Sequence, residues 1–141
     1  MLSTALQGTA DGLGNLRIAK ATWDFAVDGG AVSAIDLGVT IPDNAIIVGG
    51  FVDVITTCTS ATDAGTGAIS VEGADDIVAA VAISDGSNPW DAGLQAIVPK
   101  ANTPESTGVK LTADRAVTFT IAVEAFTAGK FICWLYYVIS E

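Results

Sequence analysis

Two cysteines and a set of loop carboxylates are the side chains with which this chain could do covalent or acid–base chemistry, because its 141 residues include no histidine. Histidine is the commonest general base and metal ligand in proteins. Cys58 and Cys133 lie in apolar, strand-like segments, and such surroundings raise the pKa of a thiol and lower its reactivity. The chain also has no G-x-S-x-G turn for a serine nucleophile. We therefore expect no nucleophilic site.

The same two cysteines lie far apart in the sequence. A disulfide between them requires their strands to be neighbours, which spacing alone does not determine. The interpretation that we favour is a pair of buried free thiols, because an unpaired cysteine packs as a small hydrophobic residue.

Carboxylates are frequent in the segments that connect the predicted strands. Two carboxylates could support glycoside hydrolysis, and several together could bind calcium. Aspartate is also favoured in turns because it hydrogen-bonds to its own backbone, and no D-x-[DN]-x-[DN]-G loop is present. We therefore predict that the chain is not an enzyme and holds no metal or cofactor. The carboxylates concerned are Asp63, Asp75, Asp76, Asp85, Asp91, Glu105 and Asp114.

Trp90 follows Asn88-Pro89 in a proline-rich segment, Asp85–Thr107, that is predicted to be irregular. One interpretation makes it a recognition residue, a flat platform on which a sugar could stack. The other makes it a cap on the core. The large area of an indole favours burial, so we prefer the cap.

Short apolar segments separated by turn residues recur along the chain. Their spacing predicts about eight β-strands and no amphipathic helix, which is typical of an all-β sandwich or jelly roll. The predicted strands are Leu16–Val27, Ala34–Thr40, Ala45–Thr57, Gly67–Gly73, Ile77–Ser84, Val109–Ala113, Ala116–Phe126 and Lys130–Ile139.

Side chains alternate between the two faces of a strand, so the pattern also predicts which residues point the same way. Gly49-Gly50 predicts a bulge or a close backbone contact within its strand. In Leu16–Val27, the shared inward face comprises Ala19, Ala21, Trp23, Phe25 and Val27. In Ala45–Thr57, one face comprises Ile46, Val48, Val52 and Val54.

The last two predicted strands differ in pattern and are joined by the predicted connector Thr127–Lys130. Ala116–Phe126 alternates and is predicted to be half-buried. Lys130–Ile139 is apolar on both faces, so both of its faces must be covered, and we expect a second subunit to cover one of them. The predicted subunit interface comprises Ile132, Trp134, Tyr136 and Val138.

Residues 1–15 contain three glycines and isolated leucines, which disfavours a helix. We predict an extended arm over 1–15 and a β-sandwich domain over 16–141. Either the arm is a tail, or it orders on a neighbouring protein through Leu2, Leu6 and Leu13.

Sixteen acidic residues against six basic ones leave a formal net charge of −10. A surface of that sign repels phosphate backbones and anionic lipids, so neither nucleic acid nor a membrane is an expected partner. The first residues lack the basic and apolar regions of a signal peptide, which predicts synthesis in a cytoplasm.

Two regions carry a resemblance to a known family. The segment TIPDNAII (40–47) leads into a strand, and late in the chain TGVKLTAD (107–114) leads to TAGKF (127–131) and a final aromatic strand. This order resembles the head decoration, or cement, proteins of tailed bacteriophages, from about Thr40 to the C-terminus.

The resemblance implies a jelly-roll or β-sandwich protein that lies on the outer surface of the virion. It also implies a homotrimer that clamps major capsid subunits, with the arm as a capsid contact. The alternative is a receptor- or carbohydrate-binding β-sandwich of a head fibre or tail fibre, for which Trp90 would be the recognition residue.

Overall fold

The computed structural model describes residues 16–100 and 107–140, so the predicted arm with Leu2, Leu6 and Leu13 lies outside the described residues. The described residues form nine β-strands and one helical turn. The elements are β1 (Arg17–Asp24), α1 (Phe25–Asp28), β2 (Ser33–Ile41), β3 (Ala45–Ser60), β4 (Thr66–Ser70), β5 (Val78–Ala82), β6 (Gly93–Ile97), β7 (Val109–Lys110), β8 (Arg115–Ala122) and β9 (Phe126–Ile139).

The strands form two antiparallel sheets that enclose one core. The first sheet has the order β1-β9-β3-β6, and β7 pairs with the beginning of β3. The second sheet has the order β2-β8-β4-β5. The chain therefore passes repeatedly from one layer to the other, as in sandwiches and jelly rolls. The predicted all-β class is confirmed.

Aromatic side chains fill the centre of the core between the two sheets. Trp23, Trp90, Phe119 and Phe131 are fully buried, and Phe126 is nearly so. The rings of Phe119 and Phe131 meet edge to face at 4.9 Å, and Trp90 lies 5.2 Å from Phe119. Each such pair contributes about 0.5–1.5 kcal/mol beyond the burial of its surface.

The first strand ends earlier than its sequence pattern predicts. Ala19, Ala21 and Trp23 are buried as expected, but the strand stops at Asp24, whose side chain accepts a hydrogen bond from the amide of Ala26 at 3.0 Å. This is an N-cap, and it begins the helical turn α1. Val27 is consequently 81 % exposed and does not share the inward face.

The long strand β3 contains a bulge between Ile47 and Gly49, which adjoins the predicted position Gly49-Gly50. Gly50 has φ +148° and lies against the carbonyl of Trp134, where no side chain would fit. The extra residue reverses the alternation, so Val52 and Val54 face the core whereas Ile46 and Val48 face outward. The predicted common face of these four residues is therefore wrong.

The connection between the last two strands also differs from the prediction. β8 ends at Ala122, the chain turns at 123–125, and β9 begins at Phe126. Residues 127–130 thus belong to β9 and are not a connector, because they pair with the end of β3. Similarly, the segment predicted to be irregular contains β6, whose residues Gly93–Ile97 pair with β3.

Candidate functional site: an apolar outer face

The outer side of the first sheet carries apolar side chains from four neighbouring strands. Alternate residues of β1, β9, β3 and β6 point into the core, so the residues between them point outward. Ile18 is 57 % exposed and Leu94 is 67 % exposed. We call this surface the outer face; it comprises Ile18, Ile46, Phe51, Leu94, Ala96, Ile132, Trp134, Tyr136 and Val138.

Three aromatic rings lie at the centre of the outer face. Phe51 and Trp134 are directly opposite in the β3–β9 pair, and their rings stack at 6.0 Å with an interplanar angle of 28°. Tyr136 meets Phe51 edge-on at 6.1 Å. The ammonium of Lys20 lies 5.2 Å from the centre of the Trp134 ring. These contacts orient the rings into one continuous aromatic surface.

β9 is a central strand of the first sheet, and it is apolar on both of its faces. β9 pairs with β1 along one edge and with β3 along the other. Phe131, Cys133 and Leu135 point into the core and are fully buried. The four residues of the predicted subunit interface, Ile132, Trp134, Tyr136 and Val138, lie together on the opposite side and are only partly covered.

Charges on the outer face differ from those of the rest of the chain. Three lysines project on this side, against two aspartates. Lys130 pairs with Asp24 at 3.3 Å across the β1–β9 ladder, which leaves Lys20, Lys110 and Asp53. The outer face is therefore close to neutral, although the whole chain has a net charge of −10.

Sequence reasoning missed the contribution of the neighbouring strands to this face. Phe51, Ile18 and Leu94 were not predicted as interface residues, because each lies in a segment other than the one with two apolar faces. Their proximity depends on the strand order, which periodicity does not reveal. The diglycine at 49–50 was the available signal for the reversal that turns Ile46 outward.

Trp90 is fully buried and packs against Phe119 and Phe131. Its backbone amide donates a hydrogen bond to the side-chain oxygen of Asn88 at 2.8 Å. The interpretation of Trp90 as a core cap is confirmed. Its interpretation as an exposed recognition platform is wrong, because neither face of the indole reaches the surface.

Both cysteines are buried free thiols, as expected. Burial raises the pKa of the Cys58 thiol to about 12, with an additional contribution from the nearby carboxylate of Asp91. Burial alone raises the pKa of Cys133 to about 12. Protonated thiols of this kind are poor nucleophiles.

Several loop carboxylates hold the backbone in place. The buried carboxylate of Asp76 accepts hydrogen bonds from the amides of Val71, Glu72 and Gly73 at 2.8–2.9 Å. Glu72 in turn pairs with Arg115 at 3.0 Å. Within 16–100 and 107–140, no group of three or more Cys, Asp and Glu side chains is placed to hold a metal ion. No helix in the same ranges is long and apolar enough to cross a membrane.

Glu124 makes the most extensive of these networks. Its carboxylate accepts hydrogen bonds from the hydroxyl of Ser60, the amide and hydroxyl of Thr62, and the amide of Ala64. These donors lower the pKa of Glu124 to about 2, with the Ser60 hydroxyl making the largest contribution. The network ties the β8–β9 turn to the β3–β4 loop.

The fold and the outer face together define a β-sandwich with one broad apolar sheet surface. No family model and no curated protein sequence matches the chain. Its fold is similar to that of chains in three solved phage structures. A chain of the cyanophage Pam1 capsid asymmetric unit superposes with a TM-score of 0.65 and 16 % identity, over 93 % of this chain and 90 % of that one.

Two further capsid structures contain similar chains. A chain of the capsid of Ralstonia phage GP4 has a TM-score of 0.62 and 19 % identity, over 94 % of this chain and 90 % of its own length. A chain of the acid-stable capsid of Helicobacter pylori bacteriophage KHP30 has a TM-score of 0.61 and 14 % identity, over 91 % and 90 %. At these identities the likeness establishes a shared fold.

Proposed function

We propose that this chain is a virion structural protein of a tailed bacteriophage, and that it decorates and stabilises the capsid from the outside. The observation that carries the proposal is the outer face, a wide apolar surface on an otherwise strongly acidic protein. Contiguous exposed apolar surface of this kind is characteristic of protein–protein interfaces. The likeness in fold to chains of three phage capsids supports a virion as the setting.

The first partner is a second copy of this chain, in a homotrimer. The contact is made by Ile132, Trp134, Tyr136 and Val138 from the centre of the outer face. Complete burial of a large apolar side chain contributes about 1.5–3 kcal/mol relative to leaving it in water. The near-neutral charge of the face supports self-association, because two acidic surfaces would repel each other.

The second partner is the major capsid protein, which the chain contacts from the outer surface of the shell. The proposed capsid contacts in the arm are Leu2, Leu6 and Leu13. The described chain begins at Leu16, which is 52 % exposed and adjoins the outer face through Ile18. Fifteen residues can extend up to about 50 Å from that point, which is enough to reach a neighbouring capsid subunit.

The test is reconstitution on capsid shells that lack this chain. DNA-filled heads of the parent phage, purified without the protein, are incubated with it and separated by sedimentation. We expect saturable binding in multiples of three copies and greater resistance of the heads to heat. Failure of the purified protein to bind these heads would refute the proposal, whatever its oligomeric state.

The alternative role, recognition of a receptor or carbohydrate by a fibre, loses its motivating residue because Trp90 is buried. A glycan array provides a direct comparison of the two functions. Binding to a glycan that is abolished by Trp134→Ala would favour recognition by the aromatic surface of the outer face.

A further inference from the structure

Three loops meet at one end of the sandwich, away from the outer face. The amide of Phe126 donates to the carbonyl of Gly30 at 2.8 Å, which joins the α1–β2 segment to the β8–β9 turn. Glu124 joins the same turn to the β3–β4 loop. We call this surface the loop end; it comprises residues 26–32, 61–65 and 123–125.

The tips of these loops are apolar and exposed. Val27 is 81 % exposed, Val123 is 74 % exposed and Val32 is 54 % exposed. Turn formation does not account for valine at a loop tip, since glycine and small polar residues form turns more readily. The exposed alanines on the same loops are Ala26, Ala31, Ala61, Ala64 and Ala125.

Val123 is also held in an unfavourable backbone conformation. Its φ is +68°, which is a genuine outlier for a β-branched residue. The adjacent Glu124 maintains this turn through its four hydrogen bonds. Glycine or asparagine would adopt the same conformation with less strain. A strained, exposed and apolar residue on a rigid turn is typical of a contact site.

The loop end also carries exposed carboxylates. Asp28 and Asp63 are exposed on the same loops, and Asp85 follows Ser84, whose amide donates to the carbonyl of Asp63 at 3.1 Å. Lys130, near the beginning of β9, is already paired with Asp24. A second copy presenting its own loop end would bring like charges together. The outer face of a second copy is already assigned to the proposed homotrimer contact, so the partner of the loop end is a different polypeptide.

We propose that the loop end is a second docking surface, for a different polypeptide that presents an apolar depression bordered by lysine or arginine. The inference rests on the proposed function, in which that polypeptide is the major capsid protein. The valines enter the depression and the carboxylates pair with its basic border.

The loop end lies far from the points where the undescribed residues join the sandwich. Leu16, Lys100 and Ser140, which adjoin the undescribed residues, lie at the opposite end of the sandwich. Lys100 donates its amide to the carbonyl of Asp76 at 2.8 Å, and Ser140 donates its amide to the carbonyl of Asn44 at 3.0 Å. An arm contact beginning at Leu16 and a loop-end contact would therefore hold the shell at two separate points.

The test compares variants on heads purified without this protein. The double variant Val27→Ser/Val123→Gly removes two apolar tips and relaxes the strained turn. We expect its affinity for the heads to fall at least about tenfold, which corresponds to about 1.4 kcal/mol, while its melting temperature does not fall. Equal affinity of the double variant and the wild-type chain would overturn the proposal.

A matched pair of aspartates tests the charge contribution. Asp63 at the loop end and Asp75 at the opposite end are both exposed and have φ values of +60° and +61°. Asparagine is tolerated at such angles. We expect Asp63→Asn to slow association with the heads at low salt by a factor of about 2–5, with no change for Asp75→Asn. Equal association rates of the two variants would contradict the proposed basic border on the partner.

The same experiment separates the two proposals. If wild-type protein does not bind the heads, the proposed function fails. If it binds, but the loop-end variants bind equally well, the capsid role survives and this docking surface is wrong. If Trp134→Asp then abolishes binding while sedimentation still shows an oligomer, the capsid contact lies on the outer face.

Discussion

Replacing Val123 by glycine should stabilise the fold, although glycine usually destabilises ordered backbone. The reason is the φ of +68° at this position, which glycine adopts freely and valine does not. The hydrogen bonds of Glu124 to Thr62 and Ala64 involve no atom of the valine side chain, so the substitution should leave them intact.

Three contributions determine the magnitude of the change. Relief of backbone strain is worth about 2 kcal/mol, within the range for such outliers. The greater freedom of glycine in the unfolded chain costs about 0.7 kcal/mol. Val123 is 74 % exposed, so its removal forfeits only a small part of the free energy of burying a valine, about 0.5 kcal/mol. The net effect is a stabilisation of about 1 kcal/mol, or a rise in melting temperature of about 3 °C.

The assay is thermal unfolding at a fixed protein concentration, because the stability of an oligomer depends on concentration. Ala34→Gly is the matched control, since Ala34 is exposed on β2 and has no positive φ. It should lose about 0.5–1 kcal/mol. A melting temperature for Val123→Gly that falls as far as that of the control would refute the inference of strain.

Three further predictions follow from the outer face, the Glu124 network and the core. Trp134→Asp should prevent self-association, because it would bury an unpaired carboxylate in the contact. Sedimentation should show monomers of this variant, whereas the control variant Ala34→Asp, on the other sheet, should remain oligomeric. Glu124 has its pKa lowered to about 2, so its contribution to stability is complete above its ordinary pKa of 4.5 and is lost as the pH falls from 4.5 to 2. Urea unfolding should show that the stability of Glu124→Gln depends less on pH in that window than the stability of the wild-type protein does. An equal pH dependence of the two proteins would contradict the network. Gly67→Ala should destabilise the protein by about 1–3 kcal/mol, because the added methyl would lie 2.9 Å from the ring of Phe119. An unchanged midpoint of denaturation would contradict this prediction, since it would mean that the core side chains rearrange to accommodate the methyl group.

Local pattern was sufficient to predict the class of fold and the nature of its most unusual strand. The alternation of Val117, Phe119 and Ile121, all buried in β8, follows from the two-residue period of a strand. The apolar residues on both sides of β9 predicted a strand with one side in the core, Phe131, Cys133 and Leu135, and a second apolar side that forms part of the outer face. The absence of histidine and the apolar surroundings of Cys58 and Cys133 predicted inert thiols, because burial is the main cause that raises the pKa of each thiol.

Only the tertiary structure decided which surfaces those patterns build. The bulge between Ile47 and Gly49 shifts the alternation of β3 by one residue, and this reversal brings Ile46 to the side of Phe51 and Trp134. Asp24 ends β1 through a cap that competes with continued pairing. The strand order, which places β9 between β1 and β3, is set by long-range packing of the core. Periodicity reports the two faces of each strand separately, but a surface made from four strands exists only after the strands have found their neighbours.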